Sequence, residues 1–183
     1  MRFGIEIRLF LIIACLAVLI SGCATSQGSY KLTSLPPGET KLAGYSDLFV
    51  EVTCAEGIPL STTDLDRLKY LIVRNVPSEC SGKFKCIDRV APDASAIRAK
   101  VNITRYDEGN AFARWMLAGL GQMHIDADVA LIDYSTGDQI LRSEVSKTFA
   151  WGGMYGASTG IHNIEDGFAK AVAASFTGKN KNP

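Results

Sequence analysis

Hydrophobic positions follow two different patterns along this chain. From 9 to 20 they form a continuous run with no charge, and Arg2 and Arg8 stand before it. That run is short for a bilayer span, which takes about 20 apolar residues, and it suits the core of a secretory signal. Beyond residue 45 the pattern becomes periodic. Leu48, Val50 and Val52 alternate with polar neighbours over 47–53 and predict a strand. Ser61 and Asp64 have capping-box spacing. Leu65, Leu68, Ile72 and Val76 then recur at helical spacing, with Pro77 expected to end the helix. Residues 84–90 read as a second strand. Ile97, Ala99, Val101 and Ile103 alternate with Arg98, Lys100, Asn102 and Thr104, the clearest half-buried strand in the chain. Ile125, Ala127, Val129 and Leu131 form another. Tyr134-Ser135-Thr136-Gly137-Asp138 turns the chain back, so 124–149 read as a hairpin. Asn163 is expected to cap a last helix whose apolar face is Ile164, Phe168, Ala171, Val172 and Phe176. The order β-α-β-β-β-β-α predicts an α+β domain: a mostly antiparallel sheet of about five strands with two helices on one face.

The first apolar run ends in Ile20-Ser21-Gly22-Cys23. Small residues before a cysteine resemble the lipobox of bacterial lipoproteins. In such proteins the thiol receives a diacylglycerol, the signal is cut before it, and the new amine is usually acylated as well. An ordinary secretory signal and an uncut membrane anchor are the alternative readings. Glu6 departs from a purely basic start, and Ile20 stands where leucine is commoner. One acyl chain holds a membrane reversibly and two or more hold it stably. Ala24 follows the cysteine, where an aspartate tends to retain lipoproteins in the inner membrane. The resemblance therefore implies a Gram-negative outer membrane, with the domain facing the periplasm. Domain organisation follows: a signal at 1–22, a lipidated Cys23 with a flexible tether to 45, one globular domain over 46–178, and a disordered tail at 179–183. The tether is rich in Ser, Thr, Gly and Pro, and about twenty such residues span roughly 25 Å as a coil.

Charge narrows the partners. The chain has 19 basic and 19 acidic residues, and removing 1–22 takes away two arginines and one glutamate, leaving a net charge of about −1. Nucleic acid needs a basic footprint and is not an expected partner. Cys54, Cys80 and Cys86 would remain in an oxidising compartment. Cys80 and Cys86 flank a five-residue connection. A bridge between them would contribute roughly 2 kcal/mol. Cys54 ends a strand and is expected as a buried free thiol. No spacing completes a four-ligand zinc site, and no cofactor is expected.

A series of motifs runs through the second half of the chain. One strand ends in Ile103-Thr104-Arg105-Tyr106-Asp107-Glu108-Gly109-Asn110. Ala113-Arg114-Trp115, Gly119 and Gly121 follow. A hairpin strand reaches Leu131-Ile132-Asp133, with Thr136-Gly137 at its turn. Then comes Trp151-Gly152-Gly153-Met154-Tyr155-Gly156, and a helix. In this order the motifs resemble the bacterial domain-of-unknown-function 4410 family over residues 97–176. The family is rich in predicted lipoproteins, which agrees with Cys23. It has no established activity, so it implies a fold and no catalytic residues. Gln122-Met123-His124 departs from the small or basic residues expected after the glycines.

Three groups of residues invite chemistry. Gly156-Ala157-Ser158-Thr159-Gly160 matches the Gly-x-Ser-x-Gly nucleophile elbow. That elbow needs a strand–turn–helix context and later triad partners. Only His162 and two acids follow Ser158, so a flexible loop before a helix is the preferred reading. His124, Asp126 and Asp128 share one strand face, but ligands spaced about 7 Å apart do not close on one ion, and a solvated face paired with Arg98 and Lys100 is expected. Arg114, Trp115, Met116, Leu117 and Leu120 form the third group, with Trp151 and Tyr155. They read as a cap on the core or as a docking patch for an envelope protein partner, since Trp, Met and Arg are enriched at interfaces. Capping is favoured, because large apolar side chains are usually core. The sequence thus points to a membrane-anchored, non-catalytic binding or assembly component, with a small hydrolase using Ser158 or a metal as the alternative.

Overall fold

The computed structural model describes residues 27–34, 42, 44–88, 96–117 and 120–179. The signal-like run, Cys23 and residues 180–183 lie outside the described residues. Six strands form one sheet in the order β1-β6-β5-β4-β2-β3. They are β1 (Ser29–Ser34), β2 (Asp47–Cys54), β3 (Cys86–Ile87), β4 (Ala96–Asp107), β5 (Met123–Asp133) and β6 (Gln139–Phe149). Among the described residues there are four helices: α1 (Thr62–Glu79), α2 (Ala111–Met116), α3 (Gly153–Ser158) and α4 (His162–Ser175). None of the helices among the described residues is long and apolar enough to cross a membrane.

The sheet is mixed rather than mostly antiparallel. The pairs β1–β6, β6–β5 and β5–β4 are antiparallel, whereas β2 runs parallel to both β4 and β3. The cause is α1. A helix between two strands carries the chain back to its starting end, so the next strand pairs in parallel. The period-2 pattern could not reveal this, because alternation marks a strand's faces and not its direction.

Local signals explain the elements well. Ser61 caps α1, its side chain accepting from the Asp64 N–H while Asp64 accepts from the Ser61 N–H. That reciprocal pair holds the Asp64 carboxyl at about 2, the Ser61 hydroxyl being the largest cause. Pro77 does not end the helix, which continues to Glu79. The β5–β6 hairpin forms as expected, and the Asp133 carboxylate accepts from the Ser135 and Thr136 N–H groups at its turn. The last helix begins at His162, and Asn163 is not its cap: its side chain accepts from the Gly160 N–H instead. The apolar face of α4 is buried as expected.

The core lies between one face of the sheet and the paired helices α1 and α4. Four further expectations are corrected here. The segment from Ser29 to Ser34, expected in the tether, is an edge strand paired with β6, and Tyr30 and Leu32 pack against the core. The strand expected over 84–90 shrinks to the two residues of β3. Cys80 is a free thiol, so the bridge expected to Cys86 is not formed. Because α1 runs on past Pro77, the Cys80 Sγ turns inward against the Ala173 carbonyl at 3.3 Å, and burial pushes the thiol up to about 12. Cys54 is free as well, but half-buried rather than buried.

Candidate functional site

The ends of β4, β5 and β6 nearest Asp107, Met123 and Phe149 carry the two short helices, and their geometry starts from two glycines. Gly109 has φ 61° and Gly121 has φ 70°, values at which any other residue is strained. The two segments also cross at close range. A Cβ on Gly109 would lie 2.2 Å from the Gln122 carbonyl oxygen, and one on Gly121 would lie 2.3 Å from that of Asn110. Asn110 donates its N–H to the Gly121 carbonyl at 3.2 Å and caps α2 by accepting from the Ala113 N–H at 2.9 Å. The Gly-Asn and Gly-x-Gly pieces of the motif are therefore one crossing of two backbones.

Arg114 fastens the crossing to α3. Its side chain is 3% exposed. It donates to four carbonyls: Glu108 at 2.9 Å, Gly121 at 2.7 Å, Gly156 at 2.9 Å and Thr159 at 3.3 Å. Guanidinium offers five donors in a fixed fork, which suits loop carbonyls with no helix or sheet partner. Gly156 is needed opposite, since a Cβ there would meet the Trp151 carbonyl oxygen at 2.0 Å. Arg114 was expected with the docking residues. It is instead the buried clamp beneath them.

The surface above the clamp is apolar and open. Trp115 is 51% exposed, and Phe112, Met116, Leu117 and Leu120 are exposed beside it. Trp151 is 40% exposed, Met154 82%, and Tyr155 is exposed too. The preferred reading of Trp115 as a core cap is overturned: with Arg114 turned inward, its helical neighbours 115–117 face out. The Phe112 and Trp115 rings sit 6.0 Å apart, and Tyr155 packs 5.9 Å from the buried Phe149. Apart from the buried Arg114, residues 109–123 carry no charge, and residues 148–161 carry none. The structure brings Trp115, Trp151 and Tyr155 to one end of the molecule, through contacts between α2 and α3.

Neither chemical candidate assembles. Ser158 ends α3 and donates to the Tyr155 carbonyl at 3.1 Å, while His162 pairs with Glu165 at 3.1 Å. The serine sits on a helix's last turn, not on a strand-to-helix elbow. His124, Asp126 and Asp128 do share the open face of β5, but they pair with β6 rather than with Arg98 and Lys100. Their partners are Thr148 at 3.1 Å, Ser146 at 2.5 Å and Arg142 at 3.1 Å. Arg98 lies over the Tyr134 ring instead. Beside β1 the same face bounds an open groove of about 1050 Å³, lined by Lys31, Thr104, Asp126, Asp128 and Glu144 among others.

Below the apolar end lies a polar network that local sequence patterns could not show. Arg67 of α1 donates twice to Glu165 of α4, at 3.0 Å each, and Tyr106 of β4 donates to the same carboxylate at 2.7 Å. Glu165 is 1% exposed. Burial raises its pKa, but the hydrogen bonds from Arg67, Tyr106 and His162 outweigh burial and hold it below the usual carboxylate range. The network ties both helices to the sheet.

The sequence from 61 to 153 matches the family model described as a domain of unknown function, DUF4410. The chain belongs to the DUF4410 family. The match starts earlier and stops earlier than the resemblance over 97–176, and it takes in α1 as well as the glycine crossing, the clamp and Trp151. In fold, this DUF4410 chain is similar to the PelC dodecamer from Paraburkholderia phytofirmans, solved in two crystal forms. One superposes with a TM-score of 0.51 at 14% identity, covering 85% of this chain and 100% of that one. The other gives 0.51 at 14% identity, covering 82% and 98%. At that identity the likeness is one of fold. No curated protein matches the chain.

Proposed function

We propose that this DUF4410 chain is a lipoprotein, anchored through acyl chains on Cys23 in a Gram-negative outer membrane and facing the periplasm. It acts without catalysis, binding or positioning an envelope component through its uncharged aromatic end. The observation that carries this reading is that end itself: large apolar side chains held outward on a rigid, buried clamp. Such a surface supports docking, since exposed apolar patches of this kind mark interaction sites. Cys23, placed directly after a signal-length apolar run, supports the anchor, and Ala24 supports the outer membrane.

Two measurements test the reading. Intact mass of the membrane fraction should show diacylglycerol and amide-linked acyl mass on the wild type, and Cys23→Ser should move to the soluble fraction. A wild-type chain without lipid mass refutes the anchor. A fluorophosphonate probe should leave Ser158 unlabelled. Labelling that disappears in His162→Ala would refute the non-catalytic role.

A further inference from the structure

The aromatic end needs an occupant, and the path of the chain from Cys23 supplies one. Gly28 lies between β6 and α4: its N–H donates to the Gly167 carbonyl at 2.8 Å, and a Cβ on it would lie 3.3 Å from that of Lys147. Lys147 is two residues from Phe149, where β6 ends. Two strand residues cover about 7 Å. Phe149 in turn packs on Tyr155 of the exposed surface. Gly28 is five positions after Cys23, and five residue steps reach at most about 17 Å. That reach, taken from Gly28, includes the level of the apolar end. Four residues, 24–27, separate Cys23 from Gly28, in place of a twenty-residue tether, because β1 ties the chain to the sheet from Ser29 onward.

The composition of the surface fits a membrane interface. Tryptophan and tyrosine favour the headgroup level, where an apolar ring meets polar surroundings. Both tryptophans of the chain, Trp115 and Trp151, lie here, with Met154, Phe112 and Leu120 among them. No lysine or arginine is exposed within the two segments. We propose that the surface formed by α2 and α3 rests in the interface of the same bilayer that holds the Cys23 lipid. The domain is then held at two adjacent points and has a fixed orientation, with the β1-side groove carried beside the membrane. This inference rests on the anchor reading above and names the occupant of its docking surface. Without exposed basic residues, the contact is apolar and does not depend on anionic lipid.

The test uses the full lipidated chain in vesicles of phosphatidylethanolamine and phosphatidylglycerol, with and without brominated acyl chains. Because the only tryptophans lie in the surface, their emission reports it directly. Brominated lipid should quench the emission by roughly half or more, as expected for rings at the interface. Quenching should be equal at low and high salt. Trp115→Phe and Trp151→Phe, each leaving one reporter, should both remain quenched. Unquenched, red-shifted emission from a chain that carries its acyl mass and floats with the vesicles overturns the inference. So does unquenched, blue-shifted emission with cross-linking between copies, which assigns the surface to a second copy of the chain. A chain without acyl mass refutes the anchor reading alone. The inference is then decided by adding that same chain to brominated vesicles: quenching upholds it, and unchanged emission overturns it.

Discussion

Arg114 and Trp115 are neighbours in sequence and opposites in role. The arginine is the buried group and the tryptophan the exposed one, the reverse of what their chemistry leads one to expect. Hydrogen-bonding capacity decides it. The crossing of two loops and the end of α3 present carbonyls to one side chain, and the guanidinium donates to four of them. Removing it leaves the buried Gly156 and Thr159 carbonyls without that donor, so Arg114→Met should destabilise by about 3 kcal/mol. Trp115→Ala should cost less than about 1 kcal/mol, as exposed positions do. Chemical denaturation of both variants checks this. If Trp115→Ala proved the more damaging, the clamp reading would be wrong. Gly121→Ala combines a positive φ with a Cβ 2.3 Å from the Asn110 carbonyl oxygen, and should cost more than about 1 kcal/mol.

The elements that meet at Glu165 are far apart in the chain, and what joins them is charge in a dry place. Glu165 and Arg67 are 98 residues apart, and Tyr106 is 59 residues from Glu165. The buried carboxylate is held ionised chiefly against its own desolvation, by Arg67 first and then Tyr106 and His162. Its folded pKa is lowered, so the stability it contributes is fully present above the unfolded carboxylate value of about 4.3. That contribution is lost as pH falls through the lower folded value. Glu165→Gln should therefore lower stability at neutral pH by about 3 kcal/mol, because it leaves Arg67 facing a neutral group. The difference from wild type should narrow below a pH of about 4. Urea melts across that range would show it, and a difference independent of pH would sink the assignment.

At the scale of the molecule, β1 changes the sheet. It covers the outer edge of β6 from Ser29 to Ser34. An uncovered long edge strand pairs with other chains. A chain beginning at Leu42 should thus melt at a lower temperature than one beginning at Gln27, and should self-associate. Equal melting and a monomeric state would return residues 27–34 to the role of a tether. Under the proposed anchoring, a short tether also follows from β1, since only a few residues then separate Cys23 from the folded domain.

Much of this was legible in the linear pattern. Alternation at Ile97–Ala99–Val101–Ile103 and the hairpin at 124–149 were read correctly, because a strand's faces repeat every two residues within itself. The Ser61–Asp64 cap and the apolar face of α4 were legible for the same reason: their causes lie within one turn of helix. The Gly-Asn…Arg-Trp…Gly-x-Gly series announced the family before its geometry was known. Tyr30 and Leu32 did alternate, but the composition of their surroundings masked a strand whose partner lies over 110 residues away at Ser146. Tertiary structure alone decided the parallel pairing of β2, the inward turn of Arg114 and the free state of Cys80. Each of these depends on which distant carbonyl or strand edge stands opposite. Local periodicity tells a residue which side it faces, and only the assembled fold tells it what is there.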